Sequence, residues 1–367
     1  MNNLKNHEPF IRVSKNDSIP KQKAWAIRGT CIVAAFFVCA IVIVLITDYN
    51  PIQVFVEMFK GSFGSERKIW TSLQNTAILL CISLAVTPAF KMRFWNIGAE
   101  GQVLMGALAT AGCMITFGDS LSTPLIILIS VITSMIFGLI WGIIPATFKA
   151  KWNTNETLFT LMMNYVATQL VAFCITFWEN PKGSNTVGII NFSSEAGWLP
   201  SLFNQKYLIN ILIVLVITII MNIYLKKSKQ GYEISVVGES ENTARYIGIN
   251  VKKVIMRTMA ISGALCGIAG FLLVAGTGHT ISTNTAGSQG FTAIMVSWLA
   301  KFNPYVMMFT SFLLVFLDRG ASEIATAFRL NESVSEILSG IILFFIIGSE
   351  FFINYKISFR KNKEGNK

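Results

Sequence analysis

Charge is scarce in this chain. Only 13% of its 367 residues are Asp, Glu, Lys or Arg, about half the roughly 25% of a soluble domain. Histidine is scarcer still, with His7 and His279 alone, and neither belongs to an H-E-x-x-H pattern. Six cysteines (Cys31, Cys39, Cys81, Cys113, Cys174, Cys266) all lie in apolar runs and form no C-x-x-C pair. They read as small packing residues, which leaves no disulfide framework and no metal site to expect. Neither G-x-S-x-G nor G-x-x-x-x-G-K-S/T occurs, so serine-hydrolase chemistry and P-loop ATP hydrolysis by this chain are excluded.

What the chain has in quantity is apolar sequence. Hydrophobic residues make up 53% and the mean hydropathy is +0.57. Runs near the roughly 20 residues needed to cross about 30 Å of hydrocarbon recur throughout. The expected fold class is therefore all-α, a polytopic transmembrane helical bundle. Ten segments are expected, at 25–47, 70–90, 96–117, 124–148, 156–178, 207–225, 258–276, 291–300, 305–317 and 336–355. The eighth is too short to cross alone and reads as a half-helix or re-entrant piece. Residues 48–69 and 179–206 read as loops. Residues 1–24 form a polar tail, 25–355 the transmembrane domain and 356–367 a basic tail. No small-residue cleavage site follows the first apolar run, so it reads as a retained helix.

The net charge of +11 comes from 30 basic and 19 acidic residues, and its placement argues against nucleic acid. With both termini cytoplasmic, 23 of the 30 basic residues fall on the inner side and 7 on the outer, the asymmetry of the positive-inside rule. Residues 226–257 hold seven of them: Lys226, Lys227, Lys229, Arg245, Lys252, Lys253 and Arg257. Within that stretch 239–246 reads as a short helix, turned at Gly238 and Gly248. A short polar helix on the cytoplasmic side suits docking of a soluble partner, and a solvated connector is the alternative.

Two GxxxG spacings, Gly138 with Gly142 and Gly263 with Gly267, suit close helix packing. The intramembrane polar cluster is FWNIGAEGQVLMGA, where Asn96, Glu100 and Gln102 alternate with Gly98, Gly101 and Gly106. With Asn75 on the preceding span, these residues are candidates for a translocation pathway or gate, because a charge at mid-membrane must face protein or water. Pairing of Glu100 with Lys91 or Arg93 at the interface is the competing reading. His279 reads as a solvated residue of an outer loop.

FWNIGAEGQVLMGALA resembles the signature of permease subunits in bacterial ABC importers for nucleosides, a branch of the ribose/simple-sugar permease group. GYEISVVGESENTARYIGINVKKVIMRTMAISGALCGIAG is similar to the cytoplasmic coupling loop and following helix of that family. The likeness runs from about residue 70 to 350. It implies a multi-pass protein of the bacterial plasma membrane with no ATPase and no cofactor of its own, ATP being bound by a partner subunit. It also implies a cytoplasmic ABC ATPase, a sister permease subunit and an extracytoplasmic substrate-binding lipoprotein as partners. The coupling residues would be Gly238, Glu239, Asn242, Ala244, Arg245, Tyr246 and Gly248. A sugar permease of the same group is the nearest alternative. An ion-coupled carrier would need a relay of intramembrane acids, where only Glu100 qualifies.

Overall fold

The computed structural model describes residues 11–15, 20–46 and 49–359. The remaining parts of both expected tails, 1–10, 16–19 and 360–367, lie outside the described residues, as does the end of the first expected span at 47–48. In chain order the elements are β1 (Ile11–Lys15), α1 (Lys21–Ile46), α2 (Pro51–Phe63), α3 (Glu66–Lys91), α4 (Ala99–Phe117), α5 (Thr123–Trp152) and α6 (Glu156–Trp178). They continue with α7 (Leu208–Lys227), α8 (Lys229–Glu239), α9 (Glu241–Tyr246), α10 (Val251–Leu273), a π turn (Val274–Gly278), α11 (Gln289–Leu299), α12 (Pro304–Phe328), α13 (Glu332–Asn354) and β2 (Tyr355–Phe359). The all-α expectation holds.

Eight of these helices, counted among the described residues, are long and apolar enough to cross a membrane. The expected third and eighth segments are not among them. The third, α4, has 19 residues but carries Glu100 and Gln102 in its first turns. The eighth, α11, has 11 residues and is the half-helix expected.

The chain divides into two compact units, 66–315 and a smaller one made of 1–65 with 316–367. At the centre of the larger unit α10 packs against α5, α4 and α3. Its glycines explain how. A Cβ on Gly263 would strike the carbonyl oxygen of Gly138, and one on Gly267 that of Ser134. On α4, a Cβ on Gly106 would lie 2.5 Å from Gly267 Cα. Helix backbones thus meet with no side chain between them, on two faces of α10 at once. Between membrane helices that intimacy must come from van der Waals packing, since lipid supplies no hydrophobic drive. Both GxxxG pairs are spent inside the bundle.

In the smaller unit α1 packs along α13 and β1 pairs antiparallel with β2, Ile11 opposite Phe359. Arg28 donates to Glu350 Oε1 at 2.6 Å. Residues 48–69 are not a loop: α2 occupies 13 of them. Pro51 sits in the first turn, where its missing N–H costs nothing, and Asn50 caps by accepting from Ile52 N. Val54, Met58, Gly61 and Ser62 form the buried face. α12 also runs well past the expected end at 317, because Asp318, Arg319 and Glu323 are accommodated inside the helix.

Candidate functional site

The connection between α3 and α4, residues 92–98, is where the polar signature folds. Asn96 is fully buried and shapes the turn, its Oδ1 accepting from Gly98 N at 3.1 Å. Its amide donates to Ser262 Oγ on α10 at 3.3 Å, and Gln102 Nε2 donates to Asn96 Oδ1 at 3.3 Å. The start of α4 has no cap of its own at Gly98. It is capped from a neighbour: Asn164 on α6 accepts from Gly101 N at 2.8 Å and donates to Ile97 O at 2.9 Å. Thr160, one turn earlier, accepts from Ile97 N at 3.2 Å. These two residues were not singled out from sequence, although their spacing of four on an apolar helix is the signal that could have done so.

Glu100 points elsewhere. Its two carboxylate oxygens accept from Ser288 N and Gly290 N, each at 2.8 Å. It pairs with neither basic residue proposed for it: Lys91 Nζ donates to Leu225 O at 3.4 Å. A carboxylate in the first turn of α4 thereby also caps the start of α11, whose otherwise unpaired backbone N–H groups it accepts from. Gly290 is required there, since a Cβ would lie 2.6 Å from Glu100 N.

The four pathway candidates are therefore not one group. Asn96 and Gln102, 0% and 1% exposed, are joined to each other inside the bundle, with Glu100 beside them facing α11. Asn75 lies toward the other end of α3, next to Gln74, whose Nε2 donates to Thr277 Oγ1 at 2.6 Å.

The stretch 226–257, expected on the cytoplasmic side, is mostly helical. One expected feature changes: 239–246 is not a single helix turned at Gly238. The break falls at Ser240, whose extended backbone (φ −161°) ends α8 and whose hydroxyl caps α9 by accepting from Thr243 N at 3.2 Å. Gly238 lies within α8, buried, because a Cβ there would strike the carbonyl oxygen of Lys91. Gly248 does turn the chain, at φ +84°.

This elbow has a buried and an exposed side. Ile234, Val237 and Ala244 pack with Met92, Phe94, Val251 and Val254 in one apolar cluster. Glu239, Asn242, Arg245, Tyr246 and Gly248 are exposed, Tyr246 to 93%. Arg257 on α10 holds Glu233 on α8 at 2.9 Å, and Arg245 reaches Glu241 at 3.2 Å on the open face. The elbow is thus fastened to the segment that ends in Asn96 and Glu100.

At the opposite end of α10, His279 is not the solvated residue expected. Its ring stacks on Trp198 with centroids 3.7 Å apart, and its carbonyl accepts from Ile190 N at 2.8 Å. Burial, with Lys206 nearby, lowers its pKa below the usual imidazole value, against an opposing pull from Glu195.

The sequence model of the family described as branched-chain amino acid transport system, permease component, matches residues 69–347. The chain belongs to this permease family. The permease is 30% identical to the nucleoside ABC transporter permease protein NupB of Lactococcus lactis, over 84% of this chain and 87% of that one. It is 26% identical to the glucose ABC transporter permease protein TsgB13 of Haloferax volcanii, over 94% and 93%. It is 28% identical to the guanosine ABC transporter permease protein NupP of Bacillus subtilis, over 88% and 93%. The permease is thus a multi-pass membrane protein of the ABC importer type, and the resemblance carried by FWNIGAEGQ extends across nearly the whole chain.

Proposed function

We propose that this permease forms the translocation pathway for nucleosides, driven by a separate cytoplasmic ABC ATPase that docks on the α8–α9 elbow. The observation that carries the reading is the fastening of that elbow. Gly238 sits against the backbone of Lys91, and Ala244 shares one buried cluster with Met92 and Phe94. A pull on the exposed Tyr246 and Arg245 is therefore delivered to 92–98, and through it to Asn96 and Glu100 at the start of α4. Packed interfaces respond to such a pull by switching between discrete arrangements. The names of NupB and NupP favour nucleosides as cargo. ATP binding stays with the ATPase, and a sister permease and an extracytoplasmic binding lipoprotein complete the importer.

The high coverage of TsgB13 favours a second reading, a simple sugar. Both are tested by uptake of labelled nucleoside in cells expressing the permease with its cognate ATPase, sister subunit and binding protein, with and without a mutated Walker lysine in the ATPase. Uptake is expected to depend on that lysine and to be competed by unlabelled nucleosides but not by glucose or ribose. Walker-lysine-dependent uptake of labelled glucose or ribose, with none of labelled nucleoside, would move the assignment to the second reading. Tyr246→Ala should cut uptake several-fold while leaving the amount of permease in the membrane unchanged, because a side chain 93% exposed contributes nothing to packing.

A further inference from the structure

Between the π turn and α11 the chain runs through 281–291, Ile-Ser-Thr-Asn-Thr-Ala-Gly-Ser-Gln-Gly-Phe, with no charged residue. Ile281 and Ala286 are each 1% exposed and peg the segment to the bundle. Ser282, Thr283, Asn284, Gly287 and Ser288 are exposed between and after them. Short bonds keep the loop in shape: Ser282 N donates to Thr285 Oγ1 at 2.8 Å and Gly287 N to Asn284 O at 3.0 Å. Among the described residues, the side chains of Thr283 and Asn284 make no hydrogen bond and remain available.

The depth of this loop follows from its anchor. Gln102 bonds to Asn96 and through it to Ser262, while Gly106 meets Gly267 and Gly270 meets Val103. The first turns of α4 therefore lie beside the middle of the 28-residue span Val251–Gly278. Glu100, in those turns, holds Ser288 and Gly290 at the same level. Irregular backbone cannot face hydrocarbon there, since no lipid group would satisfy it. It is tolerated only against protein or water.

We propose that the exposed edge of 282–288 is a substrate station at mid-membrane on the translocation pathway, and that Glu100 is the positioning residue that holds it there. The edge offers hydroxyls and a carboxamide and no charge, and the carboxylate of Glu100 beside it is consumed by backbone N–H groups. Such a surface fits a neutral, hydroxyl-bearing solute such as the ribose of a nucleoside, and does not fit a zwitterion, which needs charged partners. The assignment of the solute rests on the nucleoside reading above, while the station itself does not.

The test is thiol accessibility in the assembled, reconstituted importer, with Cys31 and Cys174 replaced by serine because the other four cysteines are buried. Asn284→Cys and Thr283→Cys are treated with a membrane-impermeant methanethiosulfonate and compared with Ile219→Cys, exposed on α7. Labelling at Asn284→Cys is expected to be at least about tenfold faster than at Ile219→Cys, water reaching the one and lipid the other, and to slow several-fold when nucleoside is supplied. Glu100→Gln puts an amide N–H where an acceptor is needed, and is expected to raise KM several-fold with little change in kcat and to alter the Asn284→Cys labelling rate. Labelling no faster than at Ile219→Cys, or unaffected by a solute that the same preparation transports, would overturn the station. Protection by a sugar but not by nucleosides, in a preparation that transports the sugar, would retain the station and sink the nucleoside reading. Wild-type kinetics in Glu100→Gln would remove its positioning role.

Discussion

Two polar clusters flank the first turns of α4 at the same level of the bundle, and they have opposite fates. In the first, Asn96, Gln102 and Ser262 bond to one another at 0–1% exposure. In the second, Ser282 to Ser288 lie along an exposed edge with Thr283 and Asn284 unspent. Both are attached to α4, one through Gln102 and the other through Glu100. The difference teaches that intramembrane polarity has two uses. A polar group whose partners are all inside the protein fixes geometry, because leaving any one of them unpaired costs about 1–3 kcal/mol. A polar group held at mid-membrane with its bonds unmade is available to something that passes by.

The largest break in that comparison comes from removing the close packing on which both clusters rest. Gly267→Val would drive side-chain atoms into the Ser134 carbonyl and against Met135 Cα. No rotamer relieves a collision of Cβ with backbone, so the variant is expected to leave no monodisperse permease after detergent extraction and size-exclusion chromatography. Normal yield and an unchanged thermal midpoint would show that α10 can shift, and with it the depth assigned to 282–288.

Asn96→Leu sharpens the comparison at intermediate cost. It keeps the volume but strips partners from Gly98 N, Gln102 and Ser262. A loss of about 1–3 kcal/mol per group left unpaired should appear as a lower thermal midpoint, with KM for transported solute little changed. Asn284→Ala should do the reverse, raising KM several-fold at an unchanged midpoint. If both variants moved stability and left KM alone, the open edge would be scaffold as well.

Much of this was legible before any coordinates. Apolar runs gave α6 to the residue, α7 to within two residues and α3 and α5 to within four, since nothing but a helix can satisfy its backbone in lipid. SGALCGIAG announced close packing because glycine spacing has few other uses in a span. What escaped notice shares one cause: a residue's partner is named by the fold. Glu100 seemed destined for Lys91 or Arg93, its neighbours in sequence, whereas its partners are Ser288 and Gly290. Gly238 read as a turn because glycine permits both a turn and a close approach, and only the Lys91 carbonyl decides between them. α2 was hidden because Pro51 and Gly61 look like breakers, although one sits in the first turn and the other against Arg319 and Glu323. The segment 282–288 follows His279, which read as part of an outer loop, and its small, polar composition does not reveal that Glu100 holds Ser288 and Gly290.

Between sealed and open stands His279, half-buried against Trp198, and its effect should be the smallest. Its folded pKa is lowered first by burial and then by Lys206, with Glu195 pulling the other way. A base with a depressed folded pKa binds fewer protons in the native than in the unfolded state. Its contribution to stability is therefore fully present above the unfolded value, about 6.5, and is lost as pH falls through the folded one. The thermal midpoint of the permease should drop modestly as the buffer is taken from pH 7.5 to pH 5, and His279→Gln, which cannot charge, should show a shallower drop. Equal slopes in the two proteins would mean that His279 has the same pKa folded and unfolded, as an imidazole solvated in both states would. A steeper slope in the variant would require the imidazolium to be stabilised, with Glu195 outweighing both burial and Lys206. A shallower slope with unchanged uptake at pH 7.5 would place the His279–Trp198 stack with the sealed groups: it holds the chain just after the π turn that follows α10 and leaves conduction to the edge that Glu100 keeps open.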